Sequence, residues 1–140
     1  MSRRVQVTFD AGDPHRLAVW WCDLLGYEIE SANELVSRLL QSGVVGEPDV
    51  VRIDGRLFFA DAVAAVDPER TGPRFLFQRV PEQKVAKNRM HLDVSINGEM
   101  LDDAVTRLVG RGAQFIEFGE HPGHRWAVMR DPEGNEFCLQ

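Results

Sequence analysis

The chain ends in the stretch DPEGNEFCLQ, residues 131–140. Asp, Pro and Gly at the start of this stretch predict a tight turn at 131–134. The residues that follow alternate between polar and apolar, which predicts a short last strand at 136–139. Since successive side chains of a strand point to opposite faces, the apolar residues of this strand would cover a core. The other face then carries three further side chains, those of Glu136, Cys138 and Gln140.

Two earlier segments, Val5–Asp10 and Met90–Ile96, show the same alternation and are also predicted to be strands. Apolar residues at helical spacing follow each of them. The first helix is predicted to run from an N-cap at Asp13 to Gly26, and the second opens at Asn97 and stops around residues 110–112. Because further short strands follow each helix, the sequence predicts an α+β fold of paired βαβββ modules.

The first module contains one additional helix. Ser31-Ala32-Asn33-Glu34 has the pattern of a capping box, and apolar residues at helical spacing follow it. This predicts a short amphipathic helix at 32–41, inserted in the first module. We expect it to cover the edge of the core; a pocket wall or a dimer contact is the alternative.

The remaining segments complete the two modules. Asp54-Gly55 predicts a two-residue hairpin between strands at 50–53 and 56–59. Further strands are predicted at 74–80, 114–118 and 125–129, and a loop rich in Gly, His and Pro is predicted at 119–123. We expect a single domain at 1–140, with a first module at about 1–80, a polar connector at 81–88 and a second module at about 89–140.

Composition excludes several classes of protein. The chain has 140 residues and a net charge of −6, which argues against binding to nucleic acid or to an anionic membrane. No apolar run approaches the roughly 20 residues needed to span a bilayer, and no secretory signal is recognisable at the start. The two cysteines, Cys22 and Cys138, lie far apart and are predicted to be reduced thiols in a cytoplasmic protein.

Polar residues of separate strands are predicted to share one face. If the apolar residues of each strand face the helices, Gln6, Thr8, His91 and Cys138 point to the other, concave face. A concave surface with a few polar groups is typical of a small-molecule site. The sequence therefore predicts a cup that binds a small organic molecule.

Several segments together resemble one superfamily, the vicinal oxygen chelate or glyoxalase-like proteins, and in particular a subgroup that is common in actinobacteria. They are residues 10–14 through Trp20-Trp21 and Leu25-Gly26-Tyr27, residues 77–82, residues 87–93 and residues 131–139. The resemblance covers nearly the whole chain except residues 31–45. It implies paired βαβββ modules that form a curved mixed sheet around a concave cup, and it favours a homodimer.

Metal-dependent members of that superfamily hold a divalent ion with His and Glu side chains of four strands. The resemblance places these four positions at Gln6, Gln78, His91 and Cys138, of which only His91 has a usual ligand type. Two neutral amides and a thiol suit a hard divalent ion poorly. We therefore predict no cofactor and no metal site, and a divalent metal is disfavoured. His121 and His124 lie on the predicted loop, and we expect them to line a rim or face solvent.

Each candidate residue has a structural alternative. His91 is either a hydrogen-bonded cavity histidine or a catalytic base, and Asp93 orients its imidazole only if the two side chains meet. Cys138 is either an inert thiol or, with a stabilised thiolate, a nucleophile. Trp126 either lines the cup and stacks on a ligand or packs in the core. The predicted ligand-binding set is Gln6, Thr8, Gln78, His91, Trp126 and Cys138.

Three functions remain open from the sequence. The first is binding of a small organic molecule without a tightly bound metal, with metal-free lyase or isomerase chemistry by His91. The second is a metal-dependent lyase or dioxygenase with an altered ligand set. The third is a non-catalytic dimer that sequesters a drug or toxin. Neither nucleic acid nor a membrane is an expected partner in any of them.

Overall fold

The computed structural model describes all 140 residues, Met1–Gln140, which form two compact units. The first unit is Met1–Glu82 and the second is Gln83–Gln140. The chain forms ten strands and three α-helices, which confirms the α+β prediction. None of these helices combines the length and the apolar character that crossing a membrane requires.

The elements of the first unit are β1 Gln6–Ala11, α1 Pro14–Leu25, β2 Glu28–Ile29, α2 Asn33–Gln41, a 3-10 turn at Glu47–Asp49, β3 Val50–Ile53, β4 Arg56–Phe59, β5 Ala62–Val66 and β6 Arg74–Arg79. Four of the strands form a sheet in the order β1-β6-β5-β2, in which β1 and β6 are parallel and the other pairs antiparallel. Strands β3 and β4 form a separate two-stranded sheet. Phe9 and Phe77 stack at 5.0 Å between ring centroids, and Trp21 is fully buried beside them.

The second unit repeats this plan without the additional elements. Its elements are β7 Asp93–Val94, α3 Leu101–Val109, β8 Gln114–His121, β9 His124–Arg130 and β10 Glu136–Leu139. The sheet has the order β7-β10-β9-β8, so that in both units the first strand pairs in parallel with the last one. The matching orders confirm the prediction of two βαβββ modules.

Local signals decide the limits of α1 as predicted. The side chain of Asp13 accepts a hydrogen bond from the backbone amide of Arg16, and Pro14 occupies the first turn. The helix ends at Gly26, which adopts the left-handed conformation with φ of 70°. The hairpin at Asp54-Gly55 is likewise confirmed, since both residues have positive φ, as a two-residue turn of this type requires.

The inserted helix α2 is present, but its predicted capping box is wrong. The helix begins at Asn33 after Ala32, and no side chain caps it. Asn33 instead accepts a hydrogen bond from the amide of Leu57 at 2.9 Å, which ties α2 to β4. Val36 is fully buried, so the helix covers part of the core of the first unit, as expected.

Several predicted limits are also wrong. Strand β5 was not predicted, because its sequence AVAAV has no alternation and is rich in alanine, which is not typical of strands. Val5 and Met90 are exposed and precede β1 and β7. Helix α3 begins at Leu101 rather than Asn97, because Asn97 and the next residue have positive φ and form a turn.

The closing strand β10 lies inside the second sheet, with all four of its residues buried. The turn before it is held by Asp131, whose carboxylate accepts hydrogen bonds from the amides of Glu133 and Asn135 and from the side chain of Asn135. Phe137 and Leu139 are each 1% exposed, as expected for the covered face.

Glu136 ties the start of the second unit to β10. Its carboxylate accepts a hydrogen bond from the amide of Asn88 at 2.9 Å and pairs with Lys84 at 3.0 Å and with Arg130 at 3.5 Å. Burial alone would raise the pKa of this carboxyl. The bonds from Asn88 and Lys84 outweigh that effect and lower the pKa from 4.5 to about 2.

We predict that Glu136→Gln lowers the free energy of unfolding at pH 7 by about 1–3 kcal/mol, because a buried acceptor of charged donors becomes neutral. A lowered pKa contributes stability above the ordinary pKa, and this contribution is lost as the pH falls from 4.5 towards about 2. Urea unfolding at pH 7 and between pH 4.5 and 2 measures both effects. Glu120→Gln on β8 is the matched control. Equal pH dependence of Glu136→Gln and the natural protein would contradict this role.

Candidate functional site

A cavity of about 440 Å³ opens within the second unit. This volume lies in the range of small-molecule sites, roughly 300–1,000 Å³. All four strands of the second sheet, or residues next to them, contribute to its lining. Its polar side chains include those of Lys87, His91, Asp93, Glu117, His124 and Gln140.

His91, Asp93 and Cys138 form a cluster in this cavity. Parallel pairing of β7 with β10 puts Asp93 opposite Cys138, and His91 lies two residues before Asp93 on the same side. The Nδ1 of His91 donates a hydrogen bond to the Asp93 carboxylate at 3.1 Å. The condition under which Asp93 would orient the imidazole is therefore met. This bond leaves the Nε2 of His91 without a proton when the ring is neutral.

The thiol of Cys138 is kept protonated by its surroundings. Burial raises its pKa first, and the negative charge of Asp93 and a hydrogen bond to that carboxylate raise it further, while Lys87 lowers it. Cys22 lies in the first unit and is also buried, and its pKa is raised to about 11. Neither cysteine is thus set up as a thiolate nucleophile at neutral pH.

Trp126 forms an apolar wall of the cavity and is half-buried. Its strand partner is Gly119, and a Cβ at that position would overlap the indole ring. The rings of His121 and His124 flank it, each with its centroid at 5.5 Å from that of the indole. The absence of a side chain at Gly119 therefore lets the indole lie across β8.

The prediction of a loop at 119–123 is wrong. Strand β8 continues to His121, β9 begins at His124, and these two residues are register partners at the end of the hairpin. His124 lines the cavity, and its Nε2 donates to the Oε1 of Gln140 at 3.1 Å. The long hairpin was missed because the glycine and proline signals marked only its tip, while strand pairing extends the ladder beyond them.

Glu117 lines the cavity and was not among the predicted site residues. A β-bulge shifts the register between Phe115 and Glu117, so that Phe115 and Phe118 lie on one face with ring centroids 4.7 Å apart. Regular alternation would have put Glu117 on the same face as Phe115. The bulge turns Glu117 towards the cavity instead, and no contiguous sequence pattern reveals it.

The three remaining predicted site residues lie in the first unit. The side chain of Gln6 donates to Thr8 at 3.4 Å and its Oε1 accepts from Arg74 at 2.6 Å. The amide of Gln78 donates to Asp10 at 2.9 Å. The sharing of one cup by these residues and the second-unit residues stays a prediction.

The four family positions do not fit a hard divalent ion. The oxygen of Gln6 is bound to the guanidinium of Arg74, whose positive charge would repel a cation at that oxygen. Cys138 offers a protonated thiol.

A different set, His91, Asp93 and Cys138, places its three donor atoms within 4.8 Å of one another in the second unit. One imidazole, one carboxylate and one thiol form a set of the kind that suits zinc better than magnesium or calcium.

Comparison with known proteins gives a family and a fold. The family model described as "Glyoxalase-like domain" matches residues 6–140. A search of curated protein sequences finds no match. The fold also resembles many solved structures. The three described next are at most 14% identical to this chain, so they bear on its fold alone.

Three of these structures show the extent of the likeness. Fosfomycin resistance protein FosX from Mesorhizobium loti has 14% identity and a TM-score of 0.64, covering 100% of this chain and 91% of that one. An enzyme of the glyoxalase/bleomycin resistance protein/dioxygenase family from Burkholderia phytofirmans has 14% identity and a TM-score of 0.62, covering 96% of this chain and 94% of that one. A FosX variant from Listeria monocytogenes was solved in complex with Mn(II) and 1S,2S-dihydroxypropylphosphonic acid. It has 11% identity and a TM-score of 0.64, covering 100% of this chain and 90% of that one.

We predict that Asp93→Asn lowers the pKa of the Cys138 thiol, because it removes the negative charge that disfavours the thiolate. The rate of alkylation by iodoacetamide should then rise at a lower pH than in the natural protein. Cys22→Ser in both backgrounds removes the other thiol, and Asp103→Asn on α3 controls for a change in net charge alone. An unchanged pH midpoint in Asp93→Asn would show that Asp93 does not act on this thiol.

Proposed function

We propose that this chain, which belongs to the glyoxalase-like domain family, binds a small organic molecule in the cavity of its second unit. The observation that supports this most directly is the cavity of about 440 Å³ with an indole wall and several polar side chains. Such a combination of apolar surface and a few polar groups is typical of sites for small molecules. The fosfomycin resistance proteins among the similar folds are consistent with a small-molecule ligand.

His91 is the residue to which we assign chemistry, in a metal-free lyase or isomerase reaction. The hydrogen bond to Asp93 at 3.1 Å fixes the ring orientation and leaves Nε2 as the basic nitrogen. A carboxylate behind the imidazole also stabilises the imidazolium that forms when Nε2 takes a proton. In the isomerase case Nε2 removes a proton from one atom of the bound molecule and returns it at another. In the lyase case the bond to the leaving group breaks as the proton is removed, and the imidazolium then gives that proton to the leaving group. Cys138 and Trp126 contact the ligand without reacting.

Filling the cavity should abolish ligand binding. Val128 lines the cavity from β9, opposite Cys138, and Val128→Phe would occupy part of its volume. We expect compounds that raise the melting temperature of the natural protein in a screen of neutral and charged small molecules to lose this effect in the variant. A ligand that binds only the folded state raises stability by mass action, which is the basis of this measurement.

The matched control is Val109→Phe, because Val109 is 47% exposed and does not line the cavity. Circular dichroism would establish that both variants are folded. The proposal fails if no compound stabilises the natural protein, or if Val128→Phe keeps the same set of ligands and affinities as Val109→Phe.

The second candidate function is a metal-dependent lyase or dioxygenase with an altered ligand set. The cluster of His91, Asp93 and Cys138 favours it, since it offers three donors of types that bind zinc. We prefer the metal-free alternative, because Asp93 already accepts hydrogen bonds from both other members of the cluster. A metal bound by Cys138 would have to displace the thiol proton and break its hydrogen bond to Asp93.

Elemental analysis of the purified protein should find no stoichiometric divalent ion, and Zn²⁺ should raise the melting temperature no more in the natural protein than in His91→Ala. One equivalent of an ion that is lost in His91→Ala would support the metal-dependent alternative instead. His15→Ala is the control, because His15 lies in the first unit, outside the cluster and outside the four positions that the resemblance assigns to metal ligands.

The third alternative is a non-catalytic dimer that sequesters a drug or toxin. It differs from the first proposal in turnover. Such a dimer binds the ligand without converting it, and His91→Ala leaves ligand binding unchanged. Ile116 and Phe118 are exposed on the edge strand β8, and a homodimer in the cytoplasm remains part of the proposal.

A further inference from the structure

We propose that the ligand of the second-unit cavity is a planar ring system with a positive charge, which stacks on Trp126 and pairs with Glu117. This inference rests on the proposed function, because it names the chemical class of the same ligand. It also assigns to Gly119 the role of positioning the indole of Trp126, while Gly119 itself does not contact the ligand.

The indole ring of Trp126 is held in one orientation and offers a flat face to a ligand. The φ of Gly119 is not positive, so the glycine is required here by space rather than by backbone conformation. Its missing side chain leaves room for the five- and six-membered rings of the indole, and the imidazole of His124 stacks beside it at an interplanar angle of 29°. A half-buried indole that is fixed in this way can stack on a planar ligand with little loss of side-chain entropy.

Glu117 lies next to this surface. The register pairs Glu117 with Val128 and Gly119 with Trp126, so the carboxylate and the indole are diagonal neighbours on one face of the hairpin. Diagonal neighbours lie about 7–8 Å apart, within reach of two long side chains. A ring that stacks on Trp126 would thus have its edge close to the carboxylate of Glu117.

The free carboxylate next to Trp126 favours a cation at the indole. The carboxylate of Glu136 is bound by Lys84 and Arg130, and that of Asp93 is bound by His91. Glu117 is the one lining carboxylate that makes no hydrogen bond or ion pair.

The lining also contains one lysine, Lys87, whose Nζ donates to the backbone oxygen of Asn88 at 3.2 Å. An anionic ring over Trp126 would meet the unpaired carboxylate of Glu117, whereas a cation gains from both the carboxylate and the face of the indole.

Three probes of similar size separate these contributions: 1-methylquinolinium, 2-naphthoate and neutral 2-methylnaphthalene. We expect the full-length protein to bind 1-methylquinolinium at least about tenfold more tightly than 2-naphthoate, measured by titration calorimetry at low and at physiological salt. Glu117→Gln should weaken binding of the cation about fivefold and leave 2-methylnaphthalene unchanged. Glu120→Gln, on the opposite face of the same strand, should change neither.

The stacking surface is tested separately. Trp126→Leu should weaken binding of both 1-methylquinolinium and 2-methylnaphthalene about tenfold, and Trp126→Phe should restore most of this loss. Gly119→Val should have the same effect as Trp126→Leu, because it displaces the indole. If Gly119→Val does not fold, the two Trp126 variants still decide the point.

Equal or tighter binding of 2-naphthoate, or an unchanged affinity for 1-methylquinolinium in Glu117→Gln or Trp126→Leu, would overturn this inference. The proposed function would survive that result if other compounds still bind in a manner that Val128→Phe abolishes. If no compound shows binding that is sensitive to Val128→Phe, both proposals fail.

Discussion

The parallel pairing of β7 with β10 is the constraint on which the candidate site depends. It puts Asp93 directly opposite Cys138 and thereby joins residues that are far apart in the chain. Because β10 also pairs with β9 on its other side, Trp126 and Val128 join the same cavity. A shift of this register by one residue would turn Cys138 to the opposite face and separate it from His91 and Asp93.

The first unit has the same strand order but a different chemistry. Its parallel pair, β1 and β6, carries Gln6 opposite Arg74 and Gln78 opposite Asp10, and in each case the two partners are hydrogen-bonded to each other. These bonds satisfy the amide groups locally. The repeated backbone plan therefore does not imply repeated function, since the side chains at equivalent strand positions decide what a module can bind.

Part of the geometry of the candidate site could be predicted from the sequence, whereas its role in binding a ligand stays a prediction. His91, Trp126 and Cys138 lie together in one cavity, and the hydrogen bond between His91 and Asp93 exists. Glu117 and His124 were missed, for two physical reasons. The bulge in β8 changes which face Glu117 occupies, and the pairing of β8 with β9 carries the ladder past the glycine and proline that marked a loop.

The sequence by itself determined the features that depend on neighbouring residues. These are the limits of α1, the hairpin turn at Asp54-Gly55, the turn held by Asp131, and the alternation that makes β10 a strand. Only the tertiary structure decided the pairing order of the strands, the presence of β5 and the side chains that meet in the cavity. The reason is that caps and turns are stabilised by contacts within a few residues, whereas a strand acquires its neighbours and its buried face from segments distant in the chain.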